Sequence, residues 1–259
     1  MKKWLYNTLL ILFIAIFVIS GGVLVHHYID SSIQKDRYAE LSAIRTQQET
    51  TPRPEPVGTL PEIEQEHTAA LPEFTELYEL NSDIVGWLKI PGTVIDYPVM
   101  QTPDKPDYYL KRNFDKEPNS HGCIYAREVC DVLAPSDNVT LYGHHMRDGS
   151  MFAQLDKYRD PGFRDENPYI YFDTLTRLQT FEVMAVFVTT ASMDEGFPYH
   201  IFVDAQSPEE FSEFVSQCKA LALYDTGITA QYGDKLLCLS TCEYSQTNGR
   251  LVVVAKRIA

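Results

Sequence analysis

The chain has 259 residues, of which 44% are hydrophobic and 12% aromatic, so it is too apolar to be disordered throughout. Its formal net charge of −14, with no offsetting cluster of lysine and arginine, excludes a phosphate-backbone ligand, and we expect no nucleic-acid partner. About 190 residues form one continuous globular pattern, which is long enough for a single domain with its own core.

The N-terminus has the pattern of a membrane-spanning helix. Trp4 to Val25 is a run of 22 residues without a charge, and a helix of that length spans about 33 Å, enough for a hydrocarbon core of about 30 Å. Two lysines precede the run, so the positive-inside rule predicts a cytoplasmic tip (residues 1–3), a single anchor (4–28) and an external remainder. A removed signal peptide is the alternative, but its apolar run would be only about 7–15 residues.

Residues 29–71 are predicted to form an extracellular stalk. The segment is polar, and Gln47–Pro56 is a run rich in proline and glutamate that cannot bury a core and should be extended. Residues 31–45 could instead continue the helix out of the membrane. The globular domain then occupies residues 72–259.

The chain contains five cysteines, an odd number for the outer side of a membrane. A disulfide framework would favour an even set, so at least one thiol is left over, unless it pairs between chains. Cys218 and Cys238 lie in apolar patterns typical of a core. Because there is no C-x-x-C pair, we expect no zinc site, and no cofactor is indicated.

Between residues 72 and 259 the patterns predict many short strands and few helices. Helices are predicted over Glu73–Leu80, Gly149–Tyr158 and Pro208–Leu223, the last with Ser207 as its cap and a proline in its first turn. Strands are predicted over 84–90, 94–100, 122–126, 138–143, 169–172, 180–190, 236–239 and 251–255. This composition indicates a β-barrel or sandwich with helices at its edges.

The last two predicted strands are separated by a polar break that contains Asn248-Gly249, a strong turn signal. If these strands are neighbours, Cys242 and Arg250 lie at the same rim of the sheet. A thiolate could attack a carbonyl there while a guanidinium holds the developing oxyanion. The alternative is an ordinary half-buried cysteine beside a solvated arginine.

Two histidines, His144 and His145, follow Gly143 at the end of the strand predicted over 138–143. A histidine at a strand end can reach a cysteine on the rim and activate its thiol. Metal binding is a poorer interpretation, because adjacent side chains on a strand point to opposite sides and no third ligand is evident. Both could also be ordinary polar loop residues.

Taken together, these stretches resemble the signature of the sortases, membrane-anchored cysteine transpeptidases of Gram-positive bacteria. The resemblance is closest to class B, and it covers the chain from about Pro72 to the C-terminus. The segments that carry it are Thr140-Leu-Tyr-Gly-His-His-Met146, Leu239-Ser-Thr-Cys-Glu-Tyr244, Gly249-Arg250, Asp83-Ile-Val-Gly-Trp-Leu-Lys-Ile90, Tyr97-Pro98-Val99 and the long helix before the cysteine strand.

The resemblance implies a closed eight-stranded β-barrel with an N-terminal helix and a long helix inserted before the cysteine strand, all preceded by one transmembrane helix. It implies Cys242 as nucleophile, His144 rather than His145 as general acid and base, and Arg250 as the group that holds the oxyanion or the substrate. Candidate substrate contacts, also implied by the resemblance or by proximity to these residues, are Ser240, Glu243, Tyr142 and Leu110.

The implied reaction is cleavage of a C-terminal sorting motif of the NPxTN or NPxTG kind, between the threonine and the next residue. A thioester on Cys242 would then be resolved by an amine of a peptidoglycan precursor or cross-bridge. The expected partners are surface proteins that carry a sorting signal, the wall amine and the membrane. Three alternatives stay open: a pilin-polymerising enzyme with a lysine acceptor, a non-catalytic peptide-binding domain, and a simple cysteine hydrolase.

Overall fold

The computed structural model describes residues 2–49, 70–192 and 195–259. The chain divides into two compact units, Met1–Glu40 and Leu41–Ala259. Most of the Pro- and Glu-rich run that was predicted as a spacer lies outside the described residues. Helix α1 extends over Lys2–Gln48 and contains the uncharged N-terminal run. Among the described residues it is the one helix that is long and apolar enough to cross a membrane, judged by length and composition.

The second unit includes the last turns of α1. Leu41 is fully buried, and the guanidinium of Arg45 forms a buried ion pair with Asp173. The same guanidinium lies 5.7 Å from the ring centre of Phe74 and 5.6 Å from that of Trp87. The compact unit therefore begins upstream of the domain start expected at residue 72.

The remaining elements alternate short strands with short helices. In chain order they are α2 (Pro72–Leu80), β1 (Ile84–Lys89), β2 (Asp96–Met100), a 3-10 helix (Tyr108–Lys111), β3 (Ile124–Ala126), β4 (Asn138–Tyr142), a second 3-10 helix (Phe152–Arg159), α3 (Pro161–Glu166), β5 (Tyr169–Thr174), β6 (Thr180–Thr190), α4 (Pro208–Leu221), β7 (Leu236–Cys242) and β8 (Gly249–Arg257).

The eight strands close into a barrel in the order β1-β2-β3-β4-β7-β8-β6-β5. Most neighbours are antiparallel, but β2 pairs with β3 and β4 pairs with β7 in parallel. The closed barrel confirms the fold that the resemblance implies, and each predicted strand is present. The helix predicted over 149–158 is instead the 3-10 helix that begins at Phe152, and the helices Tyr108–Lys111 and α3 were not predicted.

Helix α4 lies in the connection between β6 and β7 and begins as predicted, with the Ser207 hydroxyl accepting a hydrogen bond from the backbone N–H of Glu210. Its apolar side packs on one face of the sheet, in a cluster that includes Phe211, Cys238 and Tyr199. Because alternate residues of a strand share a face, Cys242 points to the same side of β7 as Cys238. The predicted nucleophile therefore lies on the face that α4 and the residues before it cover.

Candidate functional site

The predicted nucleophile and the predicted oxyanion holder stand directly opposite each other on β7 and β8, with Cys242 paired to Arg250. The backbone N–H of Glu243 donates to the carbonyl of Gly249 at 2.9 Å, just beyond this pair. That bond makes Cys242 and Arg250 a non-hydrogen-bonded pair, in which the Cα atoms are about 4.5 Å apart and the side chains are closest. Cys242 and Arg250 therefore occupy one rim of the barrel as a direct cross-strand pair.

The turn after Cys242 also anchors the arginine. Arg250 Nη1 donates to the carbonyls of Asn248 and Gly249, at 3.3 and 2.9 Å. Asn248 has a φ of 55°, a left-handed conformation that asparagine tolerates. A Cβ on Gly249 would lie 2.4 Å from the carbonyl oxygen of Glu243, so the turn closes tightly only with glycine at this position. The Asn-Gly signal thus corresponds to a real turn that orients Arg250.

His144 reaches the same rim from the neighbouring parallel strand, β4. Tyr142 is paired with Ser240 on β7. The next residue, Gly143, extends this pairing, because its N–H donates to the Ser240 carbonyl at 3.2 Å. The Thr241 hydroxyl donates back to the Gly143 carbonyl at 2.8 Å. His144 and Cys242 are therefore each two residues beyond paired positions on strands that are spaced about 4.8 Å apart.

Among the described residues, the His144 ring has one hydrogen-bond partner, the backbone carbonyl of Leu110, which lies 2.7 Å from Nε2. A carbonyl oxygen only accepts hydrogen bonds, so Nε2 must carry a proton. In the neutral ring Nδ1 is then the basic nitrogen. Leu110 was predicted to line the groove, and in the structure its backbone carbonyl contacts His144. It lies in the 3-10 helix Tyr108–Lys111, which was not predicted from the sequence.

Ser240, a predicted substrate contact, is buried, and its hydroxyl lies 2.6 Å from that of Tyr199. Burial raises the pKa of Tyr199 to about 12, against the opposing effects of the Ser240 hydrogen bond and the Arg250 charge. Desolvation, with the charges of Arg127 and Arg250, lowers the pKa of His200. Tyr199 and His200 thus flank the site, although nothing in their irregular segment indicated this beforehand.

Tyr142 and Glu243, the other two predicted contacts, have different surroundings. Tyr142 is half-buried on the rim, with its ring 5.5 Å from that of Tyr125, and burial raises its pKa. Glu243 follows Cys242 in the turn, and its carboxylate pairs with Arg159 at 3.1 Å. In the structure Glu243, predicted as a substrate contact, therefore forms an ion pair within the chain.

The second histidine of the pair has a separate partner. His145 Nε2 lies 2.7 Å from the Asp156 carboxylate, and its ring packs edge-on against Tyr244. Its contacts thus differ from those of His144. Within the described ranges, no group of three or more His, Cys, Asp or Glu side chains is arranged to hold a metal ion.

Cys242 differs from the other four cysteines in its exposure. It is half-buried at the rim, whereas Cys123, Cys130, Cys218 and Cys238 are buried. Burial raises the pKa of Cys130, Cys218 and Cys238, which keeps these thiols protonated. The accessible thiol is therefore the one that faces Arg250.

The chain is similar in sequence to known proteins over most of its length. The sortase domain family matches residues 88–258. The chain is 30% identical over 260 residues to sortase B of Staphylococcus aureus, covering 100% of this chain and 98% of that protein. It is 35% identical over 191 residues to sortase B of Listeria monocytogenes, covering 72% and 74% of the two chains. This chain belongs to the sortase family.

Solved sortase B structures have the same architecture. The B. anthracis enzyme in complex with AAEK1 superposes with a TM-score of 0.74 at 32% identity, covering 89% of this sortase and 99% of that chain. The S. aureus sortase B–substrate complex gives a TM-score of 0.75 at 27% identity, covering 89% and 98%. The sortase described here is thus close to class B, in a family whose members are generally cysteine transpeptidases.

Proposed function

We propose that this sortase is a membrane-anchored transpeptidase that cleaves a C-terminal sorting motif of the NPxTN or NPxTG kind, after the threonine. It then transfers the new carboxyl end to an amine of a peptidoglycan precursor or cross-bridge. The observation that carries the proposal is the pairing of Cys242 with Arg250, with His144 at the matching position on the adjacent strand. The similarity to sortase B over the whole chain supports the same conclusion.

In the first half of the reaction, the sulfur of Cys242 attacks the threonine carbonyl carbon, and its proton passes to His144. The carbon–nitrogen bond then breaks, and His144 returns the proton to the departing amine. An acyl thioester stays on Cys242. The nitrogen that exchanges this proton is Nδ1, because Nε2 donates to the Leu110 carbonyl.

In the second half, the acceptor amine attacks the thioester and gives a proton to His144. The carbon–sulfur bond breaks, and the sulfur takes that proton back, which restores the free thiol. Water in place of the amine would give plain hydrolysis, so the acceptor decides between transfer and cleavage.

Arg250 is proposed to stabilise the oxyanion that develops in both halves. Its Nη1 is committed to two backbone carbonyls, whereas Nε and Nη2 have no hydrogen-bond partner in the part of the chain that the structure describes. A single preorganised donor of this kind contributes about 3–4 kcal/mol to transition-state stabilisation.

The substrate groove is proposed to run along the rim between Leu110 and Tyr142 on one side and Tyr199 on the other. Ser240 acts at one remove, because its hydroxyl bonds Tyr199. Glu243 likewise acts through Arg159. The expected protein substrates are surface proteins that carry a C-terminal sorting signal.

The localisation proposed is the cell membrane of a Gram-positive bacterium, with residues 1–3 in the cytoplasm, an anchor at 4–28, an extracellular stalk at 29–71 and the catalytic domain at 72–259. The apolar stretch of α1 supports an anchor. Two lysines before that stretch support the orientation. Residues 41–48, at the end of α1, belong to the same compact unit as the catalytic domain.

The test uses the full chain in detergent with fluorogenic peptides that contain NPQTN, NPxTG-like or LPxTG-like motifs. Cleavage after threonine is expected, together with a ligated product when triglycine is supplied as the amine. If lysine were ligated efficiently and triglycine were not, the result would favour pilin polymerisation. Cleavage that survives Cys242→Ala, or no cleavage of any peptide by wild type, would rule the proposal out.

A further inference from the structure

The six-residue turn between β7 and β8, Glu243–Asn248, is held from both sides. We call it the 243–248 turn. On one side the Gln246 amide donates to the Thr189 carbonyl at 2.9 Å, and the Thr190 hydroxyl donates to the Thr247 carbonyl at 3.3 Å. These bonds join the turn to the end of β6. Since Cys242 and Arg250 lie at the strand ends that flank the turn, a shift of the turn would act on the ends of the strands that bear them.

On the other side a chain of charged groups leads from the turn to the segment after His144. Arg159 Nη2 lies 3.1 Å from Glu243 Oε1, and its Nε donates to Asp156 Oδ1 at 3.1 Å. The other oxygen of Asp156 lies 2.7 Å from His145 Nε2. Arg159 therefore bridges the carboxylate of Glu243, in the turn, and that of Asp156, which contacts the residue after His144.

The carboxylate of Glu243 suits this arrangement. Its second oxygen accepts from the Ser245 N–H at 3.0 Å and from the Ser245 hydroxyl at 2.6 Å. Desolvation pushes the pKa of Glu243 upward, but the Ser245 hydrogen bonds and the Arg159 charge outweigh it and hold the pKa below its ordinary value. The carboxylate is therefore ionised at neutral pH and occupied within the chain.

We propose that Arg159 is a positioning residue that aligns the 243–248 turn, and with it Cys242 and Arg250, against the segment that bears His144. A second contact joins the same two segments: the Tyr244 hydroxyl donates to the His145 carbonyl at 3.2 Å. A displacement of about 1 Å at a reacting group can cost about 100-fold in rate. The inference deepens the proposed function and rests on it for its kinetic consequence.

The position of the turn can be measured without any substrate. In the full chain in detergent, Arg159→Ala should speed hydrogen–deuterium exchange of the Glu243 and Gly249 amides, which donate to the Gly249 and Gln246 carbonyls. Arg159→Lys should give an intermediate rate, since one ammonium cannot hold both carboxylates as a guanidinium does. The matched control is Lys256→Ala, which removes a 2.9 Å ion pair with Asp234 at the other end of the same strands.

The kinetic test uses the sorting peptide that wild type cleaves best. Arg159→Ala should lower kcat about 10- to 100-fold with KM changed less than about twofold, and Lys256→Ala should leave both near wild type. Combining Arg159→Ala with Glu243→Gln should lose no more than the larger single change, because both break one bridge.

Three outcomes would overturn the inference: unchanged amide exchange in Arg159→Ala, faster exchange with unchanged kcat, or independent losses that multiply in the double variant. The last would mean that Glu243 meets the substrate itself. If wild type cleaves no peptide, the proposed function fails, and the exchange rates alone still decide whether Arg159 holds the turn.

Discussion

Arg45 and Asp173 form an ion pair that is almost completely buried, with side-chain exposures of 7% and 1%. They are 128 positions apart, and the pair joins the end of α1 to β5. Two aromatic rings, Phe74 and Trp87, lie next to the guanidinium. The charges are thus removed from water, and each depends on the other for compensation.

Removing one partner of this pair should destabilise the domain strongly. Asp173→Asn is expected to lower the free energy of unfolding by about 3–5 kcal/mol, and the double variant Arg45→Met with Asp173→Leu should recover most of the loss. The measurement is urea unfolding of the full chain in detergent, followed by tryptophan fluorescence. Lys89→Met, in the exposed pair with Asp96, is the control and should cost no more than about 1 kcal/mol. Equal costs for the two would contradict the prediction.

Glu73, near the same pair, should make stability depend on pH. Neither of its carboxylate oxygens has a hydrogen-bond partner on another described residue. Burial raises its pKa above 4.5; a hydrogen bond from its own backbone N–H and the charge of Arg45 oppose the shift, whereas the charges of Asp173 and Glu49 reinforce it. The folded state therefore keeps this proton to higher pH than the unfolded state, so stability falls as pH rises from 4.5 through the folded pKa.

Glu73→Gln, which cannot ionise, is accordingly expected to be more stable than wild type by a margin that grows as pH rises above 4.5 and then levels off. Unfolding curves at a series of pH values measure that margin. Glu79→Gln, at an exposed position of the same helix, should show no such trend. A margin that is constant with pH, or that shrinks as pH rises, would refute the assignment.

The strands could be predicted from the sequence because they are marked locally, by short apolar runs and by turn residues such as Asn248-Gly249. These patterns left a barrel or a sandwich open, and the closed barrel was implied only by the resemblance to the sortases. The meeting of Cys242 and Arg250 followed from the same local signal. The Leu110 carbonyl beside His144 could not be predicted, since it depends on a 3-10 helix 34 positions away in the chain. Tyr199 was missed for the same reason: a long-range hydroxyl contact leaves no periodic pattern.

Thiol labelling should single out Cys242. The native full chain in detergent, treated with iodoacetamide near pH 8, is expected to gain one adduct, at Cys242, because the other four cysteines are buried. After unfolding in urea all five should react. Mass spectrometry of peptides locates the adducts, and native Cys242→Ala should gain none. Labelling of Cys123 or Cys218 as fast as Cys242 would show that the core is more open than described.

Gly249→Ala should disturb the site from the turn. The added Cβ would lie 2.4 Å from the backbone oxygen of Glu243, so the backbone next to Cys242 and Arg250 must shift. We expect a loss of about 1–3 kcal/mol in stability and a larger proportional loss of kcat/KM. Gly162→Ala is the matched control, since its nearest atom is a flexible carboxylate oxygen of Asp160 at 3.3 Å. Activity equal to the control would show that the turn tolerates the shift.

Arg250→Lys tests the guanidinium separately from its charge. In the structure one nitrogen, Nη1, donates to the carbonyls of Asn248 and Gly249, which leaves Nε and Nη2 available for the proposed oxyanion. A lysine ammonium keeps the charge but cannot hold the turn and face the substrate in one fixed geometry. We expect kcat to fall about 100- to 1,000-fold with little change in KM, because an oxyanion donor acts on the transition state. Arg147→Lys, at an exposed position in the loop after His144, should keep wild-type kinetics. Should Arg250→Lys retain nearly full kcat/KM on the sorting peptide, positive charge alone would suffice, and the fork geometry of Arg250 would have no part in the reaction.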